Sequence, residues 1–395
     1  MRIALIKDVT EFVLDGTHGS PVRAEVGVPV LSAQNVKDGR LNFETDRYTS
    51  DVEYDHFKKR LPLVMGDVLL TIVGTIGRAA VVDEIRPLVF QRSVAVIRPK
   101  QGALWPRFLY HVSQTREFQA QLARSSNQSS QAGLYLGKLK ELRIPLPPLP
   151  EQRRIADILD KADALRAKRR AALAQLDTLT QSIFLNIHRE APKSQRVIPL
   201  AQIAEASRGA FVNGPFGSDL LTQELQDEGV PVIYIRDIRD GEYRRVSKSC
   251  VSERKAHDLA VCTVTAGDVL VAKVGDPPGI AAVYPAGNPP AVVTQDVIRI
   301  RVEREVASPE FVVGYLNSSI GKWKVAGITV EATRARFSLG EFKGLRIELP
   351  SVELQRDYAR RIAAVNEIRA AHRASLAQLD ALFASLQHRA FRGDL

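Results

Sequence analysis

Two tetrads come closest to a catalytic signature. Asp276-Pro277-Pro278-Gly279 and Asn288-Pro289-Pro290-Ala291 offer the acid or amide and the paired prolines with which an amino-group methyltransferase would grip a flipped base. Neither supplies the aromatic ring on which that base must stack, so both read as turns. Residues 133–139 (GLYLGKL) imitate a phosphate-binding loop, yet the spacing between the glycines is one residue short and Leu139 stands where a Mg²⁺-binding hydroxyl should follow Lys138. Cys250, His257 and Cys262 are too few and too unevenly spaced for the four ligands of a zinc site. The chain also has no G-x-S-x-G elbow to expose a serine nucleophile. No catalytic constellation and no metal site emerge.

What remains is chemistry for reading nucleic acid. Arg and Lys recognise guanine edges in the major groove, and Asn and Gln recognise adenine. Candidates in the first part of the chain are Gln34, Asn35, Lys37 and Arg40 at one turn, Lys58, Lys59 and Arg60 after it, Asn127 and Gln128, and His18 within a Gly-rich segment. In the second part they are Arg236, Arg239, Arg244 and Arg245 near one turn, then Lys273, Arg334 and Arg336. Clustering matters more than totals, because phosphates respond to potential within a Debye length of about 10 Å. Residues 1–148 carry 20 basic and 15 acidic side chains, whereas 196–348 carry 19 of each. The second part is basic only in patches.

These residues need a frame, and composition bounds it. A chain of 395 residues with 45% hydrophobic and 25% charged residues is ordinary for globular domains, two or three of them at this length. Two cysteines cannot make a disulfide framework, and no apolar run approaches the ~18 residues of a membrane span, so a cytoplasmic location without membrane contact is the default expectation. A net charge of +10 favours a polyanionic partner.

The frame is written twice, at an offset near 203. LGKLKELRIPLP (136–147) aligns with LGEFKGLRIELP (339–350) at eight of twelve positions. LAQLD recurs unchanged at 173–177 and 376–380, GVPV at 27–30 and 229–232, and GDVL at 66–69 and 267–270. Within each copy, β-branched runs such as 68–73, 79–82 and 94–98 predict strands, while 106–124 predicts a helix opened by Pro106, as Ser308-Pro309-Glu310 opens its counterpart. An α+β module present twice is the simplest account.

Each module is followed by a long stretch rich in helix formers. From Pro150 to about 187, Ile155, Ala162, Arg169, Leu176 and Ile183 recur every seven residues. Ile158, Leu165, Ala172 and Leu179 form a companion seam three residues on. The second copy sets Tyr358, Val365, His372, Leu379 and Leu386 on one seam and Ile368, Ser375 and Leu382 on the other. Two imperfect heptad helices of about 37 residues, each about 55 Å long, are expected to pair antiparallel as a strut between two similar globular modules, with a pseudo-two-fold axis. Half-sites on duplex DNA one turn apart lie ~34 to 36 Å centre to centre, which suits a two-headed reader. The expected boundaries are 1–148 and 196–348 for the modules, 149–190 and 349–395 for the helices. A protein-interaction scaffold with two peptide- or protein-binding modules is the alternative.

Several segments together resemble one family. LPPLPEQRRI (146–155) before the long helix, DGTHGSP (15–21), NGPFGSDL (213–220) and the repeated GDVL and LRIxLP elements are similar to the specificity subunits of type I restriction–modification systems, across essentially the whole chain. The second copy departs from the pattern: SVELQRDY keeps Gln355 and Arg356 but loses the prolines and the glutamate. The resemblance implies a non-catalytic subunit of two target-recognition domains, each reading half of an interrupted site in double-stranded DNA. It implies that the helices set the spacer and dock two methyltransferase subunits, through Glu151, Gln152, Arg153, Arg154, Gln355 and Arg356. It further implies that restriction and translocase subunits can join, and that S-adenosylmethionine, ATP and Mg²⁺ belong to partner subunits while this chain binds no cofactor.

Overall fold

The computed structural model describes residues 2–17, 19–37, 39–126, 133–190, 196–215, 217–331 and 333–395. The chain divides into two compact units, one comprising Met1–Arg170 and Ala374–Leu395, the other Ala171–Arg373. The division falls inside both long helices, so each unit is an α+β module together with part of each helix.

In the first unit a four-stranded antiparallel sheet runs in the order Thr10–Asp15, Val94–Pro99, Val68–Thr71, Ala79–Val81. Its two central strands carry the unbroken apolar runs 68–70 and 94–97 because both of their faces are buried. Val68 and Leu70 enter one core with helix Pro106–Ser113, while Leu69, Val94 and Val96 enter another beneath the strand Val28–Leu31. That strand lies in a second sheet, antiparallel to Tyr48–Thr49 and parallel to Val89–Phe90. Ile3–Leu5 pairs with Arg143–Pro145, which brings the start of the module to the foot of the long helix.

The second unit repeats the plan. Its four-stranded sheet runs Phe211–Asn213, Val297–Ile300, Val269–Ala272, Ala281–Val283, and Val230–Ile233 lies between Cys250–Val251 and Ala291–Val293. Thr263–Val264 adds an edge strand to this second sheet. The expected helix over 106–124 is two helices, Pro106–Ser113 and Arg116–Ser125. Thr115 starts the second by accepting a hydrogen bond from the Phe118 amide, a stronger local signal than the surrounding helix formers.

The long helices span Leu149–Glu190 and Val352–Arg392. In the first unit residues 149–170 run antiparallel to 374–392, with Arg154 donating to the Leu395 carbonyl and Arg166 to Asp380. In the second unit 171–190 and 352–373 do the same: Phe184 packs on Tyr358, and Arg369 reaches Thr180.

The packed positions on the first helix are Ile155, Leu159, Ala162, Arg166, Arg169, Leu173, Leu176, Thr180, Ile183 and Ile187, alternate steps of four and three. The counterparts 203 residues on are Tyr358, Ile362, Val365, Arg369, His372, Leu376, Leu379, Phe383, Leu386 and Ala390. This corrects the expected companion seam. Ile158 stands off the packed row, Leu165 and Leu382 are each 51% exposed, and Leu179 and Ile368 are also exposed. The partner row lies four residues on rather than three. Both spacings are neighbours on a helix surface, and the polar Arg166, Thr180 and Arg369 disguised the packed row.

Candidate nucleic-acid interface

Loops from several strands gather at one end of each four-stranded sheet. In the first unit, the Asp15–Thr17 segment leaves its strand and pairs with 90–92: Thr17 donates through its amide to the Phe90 carbonyl at 2.8 Å, and the Arg92 amide donates to Thr17 at 3.2 Å. Gly16 has no room for a side chain, since a Cβ would stand 2.2 Å from the Phe90 carbonyl oxygen. Arg60 clamps the loop from the end of helix Asp51–Arg60, donating to the Gly16 carbonyl at 2.7 Å and to the Asp15 carboxylate at 3.0 Å. Arg60 is thus a brace. Lys58 and Lys59 are exposed in the same helical turn as Arg60, and Arg92 is exposed where its amide meets the Thr17 carbonyl. Arg92 escaped the sequence reading; its signal was its place in the short link before strand Val94–Pro99. His18, Asn127 and Gln128 lie outside the described residues.

In the second unit the corresponding sheet end carries Lys273, Gln295, Asp296, Arg334 and Arg336. The Lys273 amide donates to the Asp296 carbonyl at 2.8 Å, tying two loops together. Val330 and Arg336 exchange backbone hydrogen bonds of 2.8 and 3.2 Å, and the Gly275 amide holds the Ala335 carbonyl at 3.1 Å. Arg334 and Arg336 therefore project from a loop pinned at its base. With Val274, Gln295, Asp296 and Thr333 they line an open cleft of about 450 Å³. Among the described residues no intramolecular partner holds the side chains of Lys273, Gln295, Asp296, Arg334 or Arg336.

Other candidates are engaged internally. Asn35 is buried: its side chain donates to the carbonyls of Asn42 and Glu44 and accepts from the Ser32 amide, so it shapes the turn and cannot read a base. Gln34 is exposed on that turn, and Lys37 and Arg40 are exposed on hairpin 36–41, whose Gly39 lies against the ring of Tyr110. In the second unit Arg236 stacks on Tyr234 and donates to Ser247 at 2.7 Å. Arg245 donates to the Ser247 carbonyl and the Cys250 sulfur, and Arg244 pairs with Glu242. Burial opposes ionisation of Glu242, but hydrogen bonds from Arg373 and Arg244 hold its carboxyl below the usual range. Arg373 belongs to the second long helix, so this hairpin packs on the helix rather than joining the loop end of the sheet. Arg236, Arg244 and Arg245 are thus exposed but engaged with neighbouring residues, and Arg239 is exposed on the hairpin.

Two expected partner contacts are also internal. Gln152, 1% exposed, accepts from the Trp105 amide at 2.8 Å and donates to the carbonyls of Ala103 and Pro147. Gln355, 0% exposed, accepts from the Ser308 amide at 2.9 Å and donates to Pro350. Each glutamine ties the first turn of a long helix to the start of a module helix. Arg153 lies over the Trp105 ring, Glu151 and Arg154 pair with each other, and Arg356 is exposed. In the first unit Arg107 and His111 also grip Asp160 of the long helix; burial works against that carboxylate, but their hydrogen bonds hold it at about 2.

The two Pro-Pro tetrads lie in loops linking Val269–Ala272 to Ala281–Val283 and Ala281–Val283 to Ala291–Val293. Among the described residues no group of three His, Cys, Asp or Glu could hold a metal ion. No helix among the described residues is long and apolar enough to cross a membrane.

Residues 20–175 match the type I restriction modification DNA specificity domain. The type I restriction enzyme EcoBI specificity subunit of Escherichia coli is 32% identical over 167 residues, 41% of this chain and 35% of that protein. Over that stretch the chain is similar to the specificity subunits of type I restriction–modification systems. The matched stretch spans only about a third of that relative's length. The fold extends the likeness. The specificity subunit from M. genitalium covers 99% of this chain at 15% identity with a TM-score of 0.59. A chain from work on complex assembly and conformational transition of the type I restriction–modification system covers 100% at 17% identity and 0.54. The matched residues cover most of the first module and part of the first long helix. The second unit repeats the first unit's strand order and the buried glutamine at the start of its long helix, Gln355 standing where the first has Gln152.

Proposed function

We propose that the chain is the DNA-recognition subunit of a type I restriction–modification complex and carries no catalytic centre. Each unit reads one half of an interrupted duplex site with the loops at the end of its four-stranded sheet. The long helices set the spacer between the halves and dock two methyltransferase subunits, which carry S-adenosylmethionine; ATP and Mg²⁺ belong to restriction and translocase subunits that can join the complex. The work is done in the cytoplasm. One observation carries the reading: Gln295, Asp296, Arg334 and Arg336, whose side chains have no intramolecular partner among the described residues, line one open cleft at the loop end of the second unit's sheet. The test is affinity for a gapped duplex across a salt series. The logarithm of affinity should fall linearly with the logarithm of salt, and altering either half-site should abolish specific binding. Insensitivity to both would overturn the proposal in favour of a protein scaffold.

A further inference from the structure

The second unit's cleft has a chemistry specific enough to name what it reads. Resting on the DNA-recognition reading above, we propose that the second unit reads a G·C base pair, with Arg334 and Arg336 on the guanine and Asp296 on the cytosine. Three features support this. First, the two arginines stand on a loop whose backbone is pinned by the Val330–Arg336 pairing and by the Gly275–Ala335 hydrogen bond, so both start from a fixed base beside the cleft. Second, Asp296 lines the same cleft and has no side-chain partner among the described residues. An acceptor-only carboxylate beside two fork-shaped donors is complementary to one base pair in particular: guanine offers the O6 and N7 acceptors, and cytosine offers the N4 amino donor. An A·T pair satisfies this set less well, because its one amino donor, adenine N6, lies between the N7 and O4 acceptors, so no base edge offers a guanidinium fork two adjacent acceptors.

Third, the first unit differs at the same places. Val94 and Val297 occupy equivalent positions, pairing with Thr71 and Ala272. The two residues before each valine are Arg92-Ser93 in the first unit and Gln295-Asp296 in the second. The carboxylate is therefore peculiar to the second unit, and the two half-sites are expected to differ in sequence.

The test uses the full-length chain with its methyltransferase partner and a duplex library of two randomised blocks separated by a variable spacer. Bound duplexes are sequenced for the wild type and for Arg334→Gln, Arg336→Gln and Asp296→Ser. The wild type should enrich a gapped motif with a G·C pair in one half. The arginine variants should weaken that preference about 5- to 150-fold, and Asp296→Ser should relax the cytosine side. The other half-site and the spacer should be unchanged, which also reports that each variant is folded. A gapped motif left intact by all three variants, or a lost preference for A·T, overturns the assignment alone. A wild-type chain that enriches no gapped motif overturns the DNA-recognition reading and this assignment with it.

Discussion

Arg166 donates through Nε to Asp380 at 2.6 Å in the first unit, and 203 residues along, in the second unit, Arg369 pairs with Asp177 at 3.2 Å. The same cross-helix ion pair is thus made twice from the LAQLD repeat. The surroundings differ. Arg166 lies over the Phe383 ring at 4.3 Å, whereas Arg369, almost fully buried, donates to the hydroxyl of Thr180, which occupies the position equivalent to Phe383.

This arrangement defines which stripe of each helix is structural. Arg369→Ala should cost about 1 to 2 kcal/mol, because it removes a buried side chain together with its hydrogen bond to Thr180 and its pairing with Asp177. Leu165→Ser and Ile368→Ser, on the exposed stripe, should each change stability by about 0.5 kcal/mol or less. Denaturant midpoints of the three variants check this, and a large loss for the exposed pair would restore the seam read from sequence.

The buried glutamines should behave as structural braces. Gln152→Ala leaves the buried Trp105 amide without its acceptor, and Gln355→Ala does the same to Ser308; each should lower stability by about 1 to 3 kcal/mol. Arg153→Ala, on the exposed side of the same turn, should shift it by under about 1 kcal/mol. Thermal melts of the three chains give the comparison.

Asp160 should make the first unit acid-sensitive. Its folded value of about 2 lies below its ordinary 3.8, so its contribution is fully present above the ordinary value and is lost as pH falls from about 4 through 2. Asp160→Asn should remove about 1 to 2 kcal/mol at neutral pH and flatten stability between those limits. Urea midpoints at pH 2.5, 4 and 7 would reveal it; identical pH profiles for the two proteins would contradict it.

Lys58 and Lys59 should contact phosphate rather than bases. Replacing both by alanine should weaken binding evenly across sequences and lower the salt slope by about two. Arg244→Ala and Arg245→Ala should leave that slope unchanged, since their guanidinium groups are spent on Glu242, Ser247 and Cys250.

Much of this architecture was legible beforehand. The 203-residue offset, the strands near 68, 79 and 94, and both long helices follow from local pattern, because period and propensity are properties of neighbouring residues. Burial of a polar side chain is not. Asn35, Gln152 and Gln355 look like surface groups in sequence and become internal only because strands, turns and helix starts bring unsatisfied backbone groups to them. The arginines of residues 236–245 misled for the converse reason: clustered charge says nothing about which partners the fold supplies. The true seam hid behind Arg166 and Arg369, whose aliphatic stems and ion pairs let charged residues occupy packed positions.

The claim that one chain reads two separated half-sites is tested most directly by mapping modified adenines in genomic DNA with the methyltransferase present, with and without this gene. The account expects a motif of two short half-sites around an unspecified spacer that disappears entirely with the gene. A continuous motif, or a gapped one that persists in its absence, would contradict it.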